Sequence, residues 1–314
     1  MPHDERLSTL LRAHHAFVAT DDPFQRRARL LQALWREARG LPIGAKTSGD
    51  PIGSRIPLAF AKESLANFLT DAAKNAVRAE LAAAGDGAGK LIEEDRLLAN
   101  LLSSQPLCFN LFGELKADLA LAGRVFRELF PERIGEVTAV RFEHSPGRGN
   151  ARYTGDRSAF DVFVEHSTPA GAPGFVGIEV KYHEGLNDAA SSHKPRYDAV
   201  ADAMGCFVAD QRAALRQKPL QQVWRDHLLA GAMLANAADG WASGLYVFLH
   251  AEGNTRCVTA AARYGTCLTD ARTFAPLTLE RMVAALRKHA TGAWTLELED
   301  RYLGWKKIDA LLAS

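Results

Sequence analysis

The chain has 314 residues, 47% of them hydrophobic and 24% charged, which are the proportions of a globular protein able to bury a core without disulfides or a structural metal. Its 38 basic residues nearly balance 37 acidic ones, and a net charge of +1 excludes a uniformly basic nucleic-acid coat while leaving room for a local basic groove. No apolar run approaches the roughly 20 residues of a membrane span, and MPHDERLSTLLRAHH lacks the apolar segment of a secretory signal, so a cytoplasmic protein without a membrane partner is expected.

From Asp4 to about Leu102 the pattern is helical. Leu30, Leu31, Leu34 and Trp35 recur at helix spacing among Arg26, Arg27, Arg29 and Arg36. Gly40 to Pro57 is rich in Gly and Pro and predicts a long loop; a helix from Leu58 to Ala84 follows, ended by GDGAG at Gly85 to Gly89. Pro106 marks the start of another helix, through Leu107, Leu111, Leu115 and Leu119 to about Phe130. A strand is predicted over Val137 to Phe142, then a loop, Ser145 to Ser158, carrying Arg148, Arg152 and Arg157 with Asp156 as its only acid. Arginines there can hold backbone phosphates, although a merely solvated loop has the same composition. The basic stretch Arg26 to Arg36 invites the same reading more weakly, and neither interleaves aromatic with basic residues as a single-strand platform does.

Two apolar runs, AFDVFVEH and FVGIEVKYH, are joined by STPAGAPG, whose prolines and glycines predict a hairpin turn. Pairing Glu165 with Phe175 sets Asp161 opposite Glu179. Strand alternation then puts Phe160, Val162, Val164, Val176, Ile178 and Val180 on an apolar core face, and Asp161, Glu179, Lys181 and His183 on the other. Two facing carboxylates repel by up to roughly 1 kcal/mol. Mg²⁺, which takes one or two carboxylates plus water and phosphate oxygens, would offset this, with Mn²⁺ as a substitute. Lys181 can then orient an attacking water or stabilise charge growing on phosphorus. The bland alternative is an ion-pair cluster on a half-solvated sheet face.

After the hairpin come a helix over Leu220 to Ala238, a strand from Gly244 to His250, a strand–helix pair near Thr273 to His289, and a last segment from Trp294 to Leu312. Strands mixed with covering helices argue an α/β or α+β layered domain, with α/β preferred. Cys108, Cys206, Cys257 and Cys267 are irregularly spaced with no C-x-x-C pair, so reduced buried thiols are expected rather than an iron–sulfur cluster.

The order of helix, strand, Asp-bearing strand, turn and GIEVKYH resembles the PD-(D/E)XK nuclease superfamily. SSQPLCFNLFGEL, FEHSPGR, TGDRSAFDVFVEH and GIEVKYHE look like a bacterial branch of it. Asp161 matches the family's first Asp, Glu179 its second acid and Lys181 its lysine; Phe160 stands where many members have proline. The resemblance implies a restriction-endonuclease-like core, a mixed β-sheet flanked by helices, over residues 101–314, with residues 1–100 a helical N-terminal extension outside it. It implies a metal-dependent nuclease with DNA as substrate. The alternative is a catalytically silent nuclease-like fold that binds nucleic acid or serves assembly. A homo-oligomer is compatible with the sequence, which does not specify one.

On the same resemblance, Glu114 in FGELKADL or Glu143 on the preceding strand would be a further metal ligand. Gln221 and Arg225, four apart on one helical face, would contact phosphate or the metal's water. His227, beside Val223, Trp224 and Gly231, reads as a satisfied core histidine, and His183 at a strand end as a rim residue.

Overall fold

The computed structural model describes residues 3–85, 92–187 and 190–313. The N-terminal third forms helices α1 (His3–Ala13) and α2 (Pro23–Ala38), a short hairpin of β1 (Gly44–Ala45) and β2 (Pro51–Ile52), then α3 (Leu58–Ser64) and α4 (Asp71–Gly85). Two more helices, α5 (Ser104–Ala117) and α6 (Leu119–Leu129), lead into β3 (Val137–His144), β4 (Phe160–Ser167) and β5 (Pro173–Lys181). Next come α7 (Pro195–Met204), α8 (Arg212–Leu215), α9 (Gln221–Ala235), β6 (Ser243–His250), α10 (Thr255–Thr266) and β7 (Phe274–Thr278). The chain closes with α11 (Leu279–His289), α12 (Trp294–Leu303) and α13 (Trp305–Ala313). Among the described residues, no helix is long and apolar enough to cross a membrane.

Side-chain chemistry at the helix ends sets several boundaries. Asp22 and Gln25 form a reciprocal capping box around Pro23, which fixes where α2 begins. The single helix expected from Leu58 to Ala84 is two, because Leu65 adopts the left-handed region (φ 50°) and ends α3. Of the GDGAG tract, residues 86–89 lie outside the described residues. The helix expected to run to Phe130 likewise breaks at Asp118, whose extended backbone ends α5 while its side chain accepts from Leu121 N to start α6.

The main sheet has the order β3-β4-β5-β6-β7, antiparallel through β5 and parallel from β5 to β7. Parallel neighbours need crossover connections, and these carry helices onto the sheet faces. One face, with Val162, Val164, Val176, Ile178, Val180, Leu245 and Val247, packs under α5, α6, α11 and α12, and its core also takes in Trp35, Ile56 and Phe68. The opposite face, with Phe163, Phe175, Tyr246 and Phe248, packs under α7, α9 and α10. The face that the ion-pair alternative would leave half-solvated is therefore buried too.

Phe160 also departs from the predicted alternation. Its ring lies on the second face, stacked 6.0 Å from Phe163, where Gly177 leaves the space: a Cβ there would sit 2.6 Å from the ring. A third cluster of Leu7, Leu11, Leu30, Leu31, Ile308 and Leu312 ties α1 and α2 to α13.

Candidate active site

Three strand ends meet at one edge of the sheet. β4 starts beside the ends of its antiparallel neighbours β3 and β5, which brings Glu143, Asp161, Glu179 and Lys181 to one cavity of about 430 Å³. The β4–β5 ladder pairs Glu165 with Phe175 and runs to Val162 with Ile178, the register the turn predicts. One step further, Val180 N–H donates to Asp161 Oδ2 at 2.8 Å, which anchors the carboxylate against the facing strand.

Glu179 and Lys181 are 6% and 8% exposed, so their charges interact with little solvent screening. Lys181 Nζ donates to Glu179 Oε1 at 2.6 Å, and Gln222 Nε2 donates to the same oxygen at 2.7 Å. Burial, together with Glu179 and Glu143, pushes the Asp161 carboxyl well above the ordinary aspartate range. Burial opposes the charge on Lys181, yet Glu179 and Asp161 outweigh it and hold the ammonium firmly protonated. Glu143 lines the same cavity with its backbone in the left-handed region (φ 49°), a conformation costing a non-glycine residue about 1 kcal/mol or more.

The cavity walls are helix starts. Glu184 Oε1 accepts from Ser104 N at 2.7 Å and from Arg96 Nη2 at 3.3 Å, binding the segment after β5 to the first turn of α5. From α9, Gln221, Gln222, Arg225 and Asp226 all line the cavity. Gln221 clamps the backbone of Ser191, accepting from its N–H and donating to its carbonyl, both at 2.6 Å. Arg225 donates to Asp156 Oδ2 through Nε (2.9 Å) and Nη2 (2.7 Å). Although burial opposes it, hydrogen bonds from Thr154, Tyr197 and Ser158, with Arg225 nearby, hold Asp156 below the usual carboxylate range. Asp226 is 6% exposed and its Oδ2 has no hydrogen-bond partner among the described residues; burial and Glu179 push its carboxyl well up.

A family model for the PD-(D/E)XK nuclease superfamily matches residues 19–304. The chain belongs to that superfamily. The match reaches back to residue 19, taking in α2 to α4, which the resemblance read from the strands left outside. No curated protein and no solved structure gives a significant match. PD-(D/E)XK nucleases typically use divalent metal ions.

The site suits such an ion through few ligands. Among the described residues, no group of three or more His, Cys, Asp or Glu is disposed to hold a metal. Asp161 and Glu179 nevertheless supply two hard-oxygen donors in a cavity with surplus negative charge, and Mg²⁺ often binds through only one or two carboxylates. Oδ2 of Asp161 and Oε1 of Glu179 accept hydrogen bonds, so Oδ1 and Oε2 are the oxygens that would hold an ion.

The other predicted residues fall unevenly. Glu143 lines the cavity, whereas Glu114, half-buried further along α5, does not; Gln105 stands on the cavity side of that helix. Arg157 lines the cavity and is exposed, Arg152 is exposed away from it, and Arg148 sits 3.5 Å from Glu143 and donates to the Arg157 carbonyl. His183 lies beyond the end of β5, 3.4 Å from Glu184. His227 is fully buried, bonded at 2.8 Å to both Tyr264 and Thr273, and burial drops its pKa to about 3.

All four cysteines are free and buried, with Cys108 on the sheet face opposite the other three. Sequence reasoning missed Gln222 and Asp226. They also lie four apart on α9, one residue out of phase with Gln221 and Arg225, and both pairs reach the cavity.

Proposed function

We propose that the chain is a metal-dependent nuclease that hydrolyses DNA phosphodiester bonds, with Asp161, Glu179 and Lys181 as its catalytic residues. The carrying observation is the meeting of two acids from facing strand ends with a buried lysine 2.6 Å from one of them. A divalent ion, Mg²⁺ with Mn²⁺ as substitute, supplies Lewis-acid polarisation of the phosphate when bound. Asp161 and Glu179 hold it; the Val180 N–H fixes Asp161, and Gln222 with Lys181 fixes Glu179. The Lys181 ammonium donates toward an attacking water or toward oxygens gaining charge at phosphorus. Arg157 at the cavity mouth holds a neighbouring phosphate, and burial of the acids and lysine strengthens each of these interactions.

Incubation of plasmid, linear and single-stranded DNA with and without Mg²⁺ or Mn²⁺ tests the reading. Cleavage should require the ion and vanish in Asp161→Asn with folding intact. The folded chain holds the Asp161 proton to higher pH than the unfolded chain does, so this group's contribution to stability is full at low pH and lost as pH rises through its folded value. Metal-free Asp161→Asn should therefore melt at or above the wild-type temperature near neutral pH. Ion binding without cleavage of any nucleic acid would assign the chain to a silent, binding role.

A further inference from the structure

A second cavity, of about 540 Å³ and mostly apolar, opens beside the catalytic one. Its walls come from three separated segments: Phe24 and Arg27 of α2, Gly253 and Arg256 around the start of α10, and Trp305 at the start of α13. Phe24 and Trp305 present two half-buried rings, centroids 5.6 Å apart and tilted 60°. Gly253 makes this arrangement possible, because a Cβ there would lie 2.7 Å from the Phe24 ring. Behind Phe24 stands Tyr182, edge-on at 6.1 Å and next in sequence to Lys181.

Two guanidiniums rim the rings. Arg27 lies 6.0 Å from the Trp305 ring centroid and also pairs with Asp309. Arg256 is 43% exposed, pairs with Asp22 at 3.1 Å, and packs its Nη1 3.3 Å from where a Cβ of Gly185 would be. Arg256 lines the groove, and its approach to Gly185, which lines the catalytic cavity, is where the two come together.

We propose that this groove seats an unpaired nucleobase of the strand whose phosphate enters the catalytic cavity, a proposal that rests on the nuclease reading. Rings that accept the face of a base, flanked by arginines that meet its phosphate, are how single strands are held without regard to sequence. Few polar groups line the groove to read base edges, so the subsite accepts any base. A paired base inside a duplex cannot present its face to Trp305. The groove therefore favours single-stranded substrates, or unpaired ends, over the interior of a duplex.

The experiment measures binding of a fluorescent single-stranded DNA oligonucleotide in EDTA, where cleavage is off, by the wild type and by Trp305→Leu, Phe24→Leu and Arg256→Gln. The leucines keep apolar packing, and melting curves verify the fold. Each leucine variant should bind about ten-fold more weakly, within the range expected for loss of one base–aromatic stack. An abasic site at one position should weaken wild-type binding by the same factor and add nothing in Trp305→Leu. Arg256→Gln, on the surface, should lower the salt slope by about 0.7.

Variants equal to wild type, with no abasic position that matters, would overturn the subsite. Cleavage of the same oligonucleotide with Mg²⁺ reports on the nuclease reading independently. Binding that depends on Trp305 without cleavage keeps the subsite and removes the activity; absence of any nucleic-acid binding overturns both. If Trp305→Leu instead changes the mass in solution while affinity stays constant, the groove is a contact between copies and the proposal fails.

Discussion

Two buried charged centres lie in this molecule and are built on opposite terms. Arg301, fully buried on α12, forms no ion pair with a carboxylate among the described residues. It donates to Gln32 Oε1 at 3.0 Å, to the Asn67 carbonyl at 2.7 Å, to Asn67 Oδ1 and to the Leu101 carbonyl, while Trp35 covers its guanidinium at 3.9 Å. Several acceptors and a ring thus satisfy one cation, and they join the N-terminal helices to the end of the chain. At the strand ends the reverse holds. Asp161, Glu179 and Glu143 raise one another's electrostatic cost, Lys181 neutralises only part of it, and Asp226 Oδ2 has no hydrogen-bond partner among the described residues. A charge with every partner in place stabilises the fold; acids held together with charge to spare await something that the fold alone does not provide.

Breaking the satisfied centre should have the largest effect. Arg301→Met removes the donor from several buried acceptors, each costing about 1–3 kcal/mol when left unpaired, so a loss of about 4 kcal/mol is expected. Urea unfolding at constant m-value measures it. The cleavage rate per folded molecule should not change; a lost rate with stability intact would invert the comparison.

Lys181→Ala comes next, with a cleavage rate lower by about 100-fold or more, the scale for losing one electrostatic stabiliser. Mg²⁺ binding by calorimetry should survive or tighten, since a competing positive charge has left the acids. A variant that melts much earlier yet cuts normally would place Lys181 with Arg301 among the residues that hold the fold.

The hairpin of β4 and β5 was legible because its cues are local. STPAGAPG supplies a turn and the apolar residues on either side of it fix the register, which the observed Glu165–Phe175 pair reproduces. The burial of its second face was less visible. Both runs are nearly continuously apolar, a sign of strands covered on two sides, but interleaved acids mimic the alternation of a half-solvated sheet. Only the parallel pairing of β5 with β6, sixty-odd residues on, explains the cover. Phe160 escaped because its side depends on the missing Cβ of Gly177 across the ladder. The aromatic groove escaped for a similar reason: Phe24 and Arg256 stand at opposite ends of the chain and Trp305 follows on a third element, so no window of sequence shows rings beside arginines.

The smallest effects belong to charges that are neither buried nor crowded, and there the three loop arginines should separate. Arg157 is exposed at the cavity mouth with no side-chain partner among the described residues, so it is placed to meet a phosphate. Arg157→Gln should weaken duplex binding a few-fold, uniformly across sequences, and lower the salt slope by about 0.9, as for one lost phosphate contact. Arg152 is also exposed but stands away from the cavity, and Arg152→Gln should change neither quantity. Arg148 is already occupied by Glu143 and by the Arg157 carbonyl. Its replacement should act through Glu143, moving ion affinity more than the salt slope. Binding isotherms at several salt concentrations, with ion titrations of each variant, resolve all three. If every arginine lowered the slope equally, the loop would act as diffuse positive charge, and exposure at the cavity mouth would give Arg157 no special role.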